Sequence, residues 1–493
     1  MAVKQPNMKA ADSPIVMKAG DTAARETAAQ KAVEATINET PEVASALAAR
    51  GIPATYDSNN RAYVELAGTT DEIHAIGEYL TSYQPARNAF LNALVNRIGL
   101  TIVTSKLYRN PWAVFKRGYL EFGDTIEEIF VNLADVHGFY PEGAEDTFAK
   151  RELPDVRTAF HRMNFQKFYK TTVSSQQLRQ AFLSWTGVSD LIARIIESLY
   201  TSANTDEYYV MRYFLAKCLL NGYIGSVAIP AVGKDNAVDI ATQFQYMSDL
   251  FQYQSTKYNM AGVTTHTDFE DQYFIVTAKF KATMNMNVLA TAFNLEYREF
   301  QARMITVDTF TDFDWARMDA LFTDPATGRL DPDYHRFTEE EIALLETVPA
   351  VLVSRDWWMV LDNYVESAQW FNGEGLYWNH WHHVWKTISC SPFGQAAAFT
   401  PTAPTITSVT VAPATATLSK GADLQLSAAV VGTGIVNQGV QWKVTGGAAS
   451  GTTVTNGGYL HVAANETATT LTVTATSIQD GTKTGESTVT VTA

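Results

Sequence analysis

At Thr400-Pro401-Thr402-Ala403-Pro404 the chain changes character. Beyond that point Thr, Val, Ala, Ser and Gly dominate. Apolar residues recur at every second position: Leu424, Leu426, Ala428, Val430; then Val440, Trp442, Val444; then Leu471, Val473, Ala475; then Val489, Val491. A period of two sends successive side chains to opposite faces, so each run is a half-buried strand. Gly421, Gly446-Gly447, Gly457-Gly458 and Asp480-Gly481 supply the turns between them. Short alternating strands with regular turns predict a β-sandwich over 405–493. Its expected core contains Val440, Trp442, Val444, Leu471 and Val473. No cysteine pair staples it, so it is not of the antibody type. Residues 401–404 read as a linker.

The preceding part mixes periods. Val188, Leu191, Ile192, Ile195, Ile196, Leu199 and Tyr200 recur at helical spacing after Ser189-Asp190, and Tyr208, Met211, Leu215 and Leu219 continue the stripe. Asn221-Gly222 is a helix stop, so a helix is predicted over 188–221. Residues 223–385 read as mixed α/β, with strands at Tyr273–Ala278, Ala350–Val353 and Trp357–Leu361 and a short helix at Val288–Phe293. The fold class is therefore α+β with an appended sandwich. The first ~35 residues hold few large apolar side chains and read as a mobile arm, followed by weak helices near Pro41–Ala49 and Asp71–Tyr79.

Between these parts, Phe115–Phe130 and Thr158–Thr172 carry extended segments rich in aromatic and β-branched residues. Turn-rich Gly138-Phe139-Tyr140-Pro141-Glu142-Gly143 lies between them. The pattern predicts a protruding β-hairpin. A two-stranded hairpin is marginal in water and needs a surface to lie on, and no cover within the chain is evident from the sequence.

Composition excludes several function classes. Lys plus Arg number 37 against 52 Asp plus Glu, a net charge of −15. Binding to phosphates needs a basic patch, and no Lys/Arg run exists, so any contact with DNA is as a wall and not as a clamp. No run of ~18 apolar residues could span a membrane, and Met1–Ser13 lacks the apolar core of a secretory signal. The two cysteines, Cys218 and Cys390, give no metal spacing and no disulfide framework; they read as thiols in a reducing compartment, with a bridge the minor alternative.

No phosphate-binding loop, nucleophile elbow, zinc-protease or paired-cysteine motif occurs. Trp378-Asn379-His380-Trp381-His382-His383 places His380 and His382 on one strand face, but no acidic or thiol partner stands at metal spacing. Aromatic packing in a strand is the expectation. Asp324, Asp331 and Asp333 do not fit a calcium loop and read as a surface turn. No catalytic residue, cofactor site or metal site is expected.

Several segments resemble the major capsid proteins of small podoviruses of the phi twenty-nine type. They are Leu94-Val-Asn-Arg-Ile-Gly-Leu100; Asn110-Pro111 through Phe115-Lys116-Arg117-Gly118; Thr125-Ile-Glu-Glu-Ile129; Arg151-Glu152-Leu153-Pro154-Asp155-Val156; Phe160-His161; Ser184-Trp185; Asp206-Glu207-Tyr208; Arg355-Asp356-Trp357-Trp358-Met359-Val360; and Gly375-Leu376-Tyr377-Trp378-Asn379. They run in order over roughly 88–400, and Gly439-Val440-Gln441-Trp442-Lys443-Val444 resembles a bacterial Ig-like group 2 domain.

The resemblance implies a Hong Kong 97-type capsid fold over 88–400, after an N-terminal arm over 1–87. In it, 108–173 would be the extended E-loop and 188–221 the spine helix. Residues 223–278 and 294–370 would form the axial domain, with 279–293 and 371–399 returning to the peripheral domain. The arm does not match the family, and 310–348 looks like a longer excursion. Phe115, Lys116, Arg117, Tyr119, Phe122, Phe160, Phe165 and Phe168 would form the E-loop interface. The implied function is a self-assembling shell subunit of an icosahedral or prolate phage head, made in host cytoplasm and enclosing double-stranded DNA. Implied partners are further copies in hexamers and pentamers, a scaffolding protein, a portal, packaged DNA, and weak host-surface contact through the Ig-like domain. The rival readings are a host-binding spike bearing an Ig-like domain, which should show fibrous repeats, and a hydrolase, which needs a convergent pocket.

Overall fold

Apolar side chains near the N-terminus are small and scattered along the chain, yet they converge. Val33, Ile37, Val43, Ala44 and Leu47 pack with Ala62, Val64, Leu66, Ile73, Ile76 and Leu80 in one buried core, completed by Phe90 and Trp378. Helix Pro41–Ala48 begins on a proline, whose missing N–H is no loss at that position. Helix Thr70–Ser82 opens with a capping box between Thr69 and Glu72. Of the partly mobile arm expected over 1–87, the described residues from 30 onward form these helices and share this core. Part of the core's large apolar surface comes from Trp378, far along the sequence, so local composition underestimates what this stretch can bury.

The computed structural model describes residues 30–90 save 32, 84, 87 and 88; 110–136 save 121, 122, 124 and 135; 154–174; 185–284 save 234; and 303–492 save 448 and 450. The expected turn at Gly138–Gly143, the stripe at Leu91–Ile98 and the helix at Val288–Phe293 lie outside these residues. Two compact units result. One takes in residues up to 110, 166–206 and 365–384; the other takes in 111–165, 207–364 and 385 onward.

In the first unit, residues 166–174, 377–384 and 365–372 lie side by side as strands of one sheet. His380 and His382 are buried there. Burial alone lowers the pKa of His380 to about 4, so it packs as a neutral ring. His382 Nδ1 lies 3.1 Å from the Ser367 hydroxyl and its ring packs on Tyr200. Among the described residues no group of three or more His, Cys, Asp or Glu could hold a metal ion.

The second unit is built on a five-stranded sheet. Its order is Gly225–Ala228, Ala396–Thr400, Ala350–Ser354, Gln272–Thr277, Met304–Val307. The two inner pairings to Ala350–Ser354 are antiparallel and the two outer pairings parallel. Alternation splits the strands between two cores. Phe274, Val276, Ala350, Leu352, Ala397 and Phe399 pack under helix Ala237–Phe251, with Phe244 stacked on Phe274 and Phe399. Ile275, Val351, Val353 and Ala398 join Met211, Leu215 and Leu219 of the long helix Trp185–Leu220 on the other side. Residues 396–400 thus belong to this sheet, which corrects their expected return to a peripheral domain. They could not be separated from it, because they sit between two of its strands.

The long helix ends where the sequence predicts. Gly222 N–H donates to the Leu219 carbonyl and Tyr223 N–H to that of Cys218, a Schellman cap with Gly222 at φ 69°. A side chain at 222 would also lie 2.4 Å from the Val436 carbonyl oxygen, so glycine is required twice over. The 310–348 excursion packs onto the same helix: Tyr213 stacks on Phe337 and touches Phe313, Phe322 and Tyr334.

Residues 405–492 form the β-rich end of this unit. Thr415–Ser419, Thr484–Thr492, Thr470–Ser477 and Val440–Thr445 make a four-stranded sheet in that order, and Thr405–Ala412 pairs antiparallel with Ser427–Thr433. Leu471, Val473, Ala475 and Val489 are fully buried between the sheets, while Val440, Trp442 and Val444 are half-buried against them. The region does not hang on its connection. Gln438 N–H donates to the Gly222 carbonyl, and the Ser226 N–H and hydroxyl both donate to that of Ile435. Gln441 and Gln479 donate to the carbonyls of Gly262 and Ser226. Ile435 itself is part of the core beside the long helix.

Candidate assembly interface

The hairpin predicted from 115–172 is shorter than its expected bounds. Thr125–Val131 and Val156–Arg162 pair antiparallel, Thr125 opposite Arg162 and Val131 opposite Val156. The flanking strands belong elsewhere. Lys116–Tyr119 runs parallel to Val360–Asp362, and Phe165–Ser174 joins the sheet containing Tyr377–Cys390.

Period two gives the hairpin two faces. The inner face is covered by the same chain, which corrects the expectation of an uncovered hairpin. Phe130 stacks on Phe393 and the Arg157 guanidinium donates to the Ala261 carbonyl. His161, 3% exposed, lies 2.9 Å from Ser389 Oγ and 3.1 Å from Glu128 Oε2, while Ser391 donates to Glu128 Oε1. Hydroxyl, imidazole and carboxylate in sequence form the order of a nucleophilic relay. Here, though, the imidazole is sealed and the carboxylate is shared with a second serine, so the bonds tie the hairpin down. Asn456, from the C-terminal region, lies against the Asp155–Arg157 ion pair.

The outer face is different. Ile129, Val131, Val156 and Phe160 all point outward, with Phe160 63% exposed, and Leu133 and Val136 continue the apolar strip, Val136 at 96%. An exposed apolar strip of this kind is a candidate interaction surface.

Residues 53–400 match the family model for Phi29-like phage major capsid protein. The chain is 34% identical to the major capsid protein of Bacillus phage B103 over 420 residues, covering 83% of this chain and 85% of that one. It is 31% identical to the major capsid protein of Bacillus phage PZA over 411 residues, covering 82% and 84%. The chain belongs to the Phi29-like phage major capsid protein family. A chain from the capsid structure of Staphylococcus phage Andhra superposes at a TM-score of 0.48 with 15% identity, covering 60% of this chain and 86% of that one.

The residues expected at this capsid protein's interface divide into three groups. Tyr119, Phe160 and Phe168 are exposed, Phe168 packing one face on His383. Arg117 is partly exposed and donates to the carbonyls of Trp358 and Asp356. Phe122 lies outside the described residues. Phe115, Lys116 and Phe165 are corrected: they are interior. Phe115 and Phe165 lie in the core beside the long helix, Phe115 stacked on Trp358 and edge-on to Trp112. An aromatic residue next to a strand reads alike whether it faces a neighbour or a core. The exposed Ile129, Val131, Val156 and Leu133 were not among the residues expected at the interface, although the alternation of Ile129 and Val131 is legible in the sequence.

Lys116 belongs to a cluster of four charges in which Glu207 and Lys386 are sealed and Lys116 and Asp362 are half-buried. Its ammonium lies 3.1 Å from Glu207 and 2.9 Å from Asp362. Lys386 contacts the same Glu207 and lies 2.7 Å from Asp362. Glu207 is 1% exposed. Burial works against ionisation of Lys116, but Glu207 and Asp362 outweigh it and hold the ammonium's pKa above its usual value. Burial likewise raises Asp362, and Lys386 and Lys116 outweigh it and hold the carboxyl below the usual range. The cluster fixes the root of the hairpin segment to the long helix and two strands.

A cavity of about 430 Å³ is lined by Lys279, Asp308, Thr309, Glu346 and Thr347, with no histidine, cysteine or serine among the described residues of its wall. No helix among the described residues is long and apolar enough to cross a membrane.

Proposed function

We propose that this capsid protein builds a closed phage head of the Hong Kong 97 type, with copies joining as hexamers and pentamers around packaged double-stranded DNA. The observation that carries the reading is the hairpin: one face is seated on its own chain, the other is apolar and open. In this reading hairpin 125–162 is the E-loop and lies across a neighbouring copy. Helix Trp185–Leu220 is the spine, and the five-stranded sheet is the body of the axial domain. Repeated heterologous contacts of this kind close into a shell. The net charge of −15 suits a wall that encloses DNA without gripping it. A scaffolding protein and a portal at one vertex would complete the assembly, and the protein would act without catalysis, folding in the host cytoplasm before entering the virion.

Residues 405–493 form an Ig-like group 2 domain in this reading. Its hydrogen bonds to Gly222, Ser226 and Gly262 favour a brace on its own subunit, with any host-surface contact left to its outward strands.

Sedimentation of the purified chain tests the shell reading. Large closed particles are expected with a scaffolding protein present, and a monomer under every assembly condition would overturn the proposal. A chain ending at Thr400 should melt roughly 5 °C or more below the full-length protein, because Ile435 leaves the core beside the long helix. Identical melting of the two bodies would mean the docked domain braces nothing.

A further inference from the structure

The chain has only two cysteines, Cys218 and Cys390. One lies near the end of helix Trp185–Leu220, the other ends strand Tyr377–Cys390. The fold brings the two thiols within hydrogen-bonding reach of each other, both as free thiols in one apolar core. Contacts without sulfur hold the helix and the strand end in place. The ring of Phe214, one turn before Cys218, packs on Trp357. The Trp357 carbonyl accepts from the N–H of Ser391, the residue after Cys390. The juxtaposition is thus built by the surrounding packing.

We propose that Cys218 and Cys390 are an intrachain disulfide site, closed when the folded protein meets a small-molecule disulfide. The two thiols differ in access: Cys218 is buried and Cys390 is half-buried. Burial pushes the Cys218 thiol well up, and the Cys390 thiol beside it adds to the effect, so Cys218 does not start the exchange. Cys390 attacks the small disulfide, forming a mixed disulfide and expelling one thiolate. The Cys218 thiol then gives up its proton and attacks the Cys390 sulfur, expelling the second thiolate. Two protein thiols are oxidised, and the small disulfide is reduced to two thiols, which take up the two protons the protein thiols give up. In a reducing compartment the reverse exchange keeps both thiols free. The bond would clamp the capped end of the long helix to the strand end leading into Ala396–Thr400, closing a long loop of chain.

The test uses the full-length protein and oxidised glutathione at mildly alkaline pH. After acid quenching and denaturation, remaining thiols are alkylated and the intact mass is measured. Two alkylatable thiols should fall to none, with no glutathione retained and no disulfide-linked dimer on a non-reducing gel. Cys218→Ala should keep one glutathione on Cys390, because nothing resolves it. Cys390→Ser should take up none, because Cys218 is sealed. A wild-type chain that keeps both thiols, retains a stable glutathione adduct, or couples to a second chain would overturn the proposal. The readout is chemical and stands whether or not shells form.

Discussion

Glu207→Gln is expected to lower folding stability by about 3–5 kcal/mol, read as a fall in the urea midpoint at constant slope. Glu207 is almost fully sealed and faces two ammonium groups, Lys116 and Lys386. Neutralising it leaves a sealed Lys386 and a half-buried Lys116 with Asp362 as the remaining carboxylate of the cluster. The penalty is the uncompensated charge, not the loss of a favourable pair, because sealed ion pairs themselves gain little over apolar packing. Adding Lys386→Met to Glu207→Gln should therefore recover part of the loss. A double variant as unstable as the sum of the two singles would refute this account of the cluster.

The pH dependence has a defined sign. Asp362 has a folded pKa below its unfolded value. Its contribution is present above the unfolded value of about 3.9 and disappears as pH falls through the folded one. Lys116 has a folded pKa above its unfolded value. Its contribution is present below about 10.4 and disappears as pH rises through the folded value. The gap between wild type and Asp362→Asn should thus close in acid, and that between wild type and Lys116→Met in alkali. Both should hold steady near neutrality.

The second large effect falls on assembly and leaves folding alone. Ile129→Asp with Phe160→Asp should leave the melting midpoint nearly unchanged and remove closed particles from negative-stain fields. Both side chains are already in water in the single chain, so charging them disturbs little there. Covered by a neighbour, each would contribute roughly 1.5–3 kcal/mol as an apolar group. A buried unpaired carboxylate reverses that sign. A loss of ~2 kcal/mol at one contact is about thirtyfold in affinity, and a shell repeats the contact at every copy. Normal particles from this variant would remove the hairpin from the interface. Deleting 115–165 could not make the same distinction. It would take out Phe115 and Phe165 from the core and Lys116 from the charge cluster, so failure to assemble would not be distinguishable from failure to fold.

What the sequence by itself determined is the part written in short-range periodicity. The helical stripe through Leu199, Met211, Leu215 and Leu219, its stop at Asn221-Gly222, and the period-two runs after Thr405 all specify elements whose partners lie within a few residues. Backbone geometry alone converts such spacing into a face. The existence of a hairpin near 125–162 was readable for the same reason. Only the tertiary structure decided which faces meet. Trp378 completing the N-terminal core, Ile435 entering the core beside the long helix, Lys116 meeting Glu207 and Cys218 meeting Cys390 all join residues that no local pattern relates. Phe115 and Phe160 have the same side chain, yet one is sealed and the other open. Burial belongs to the packed whole: a side chain's own chemistry sets what it gains by leaving water, and the rest of the chain decides whether it does.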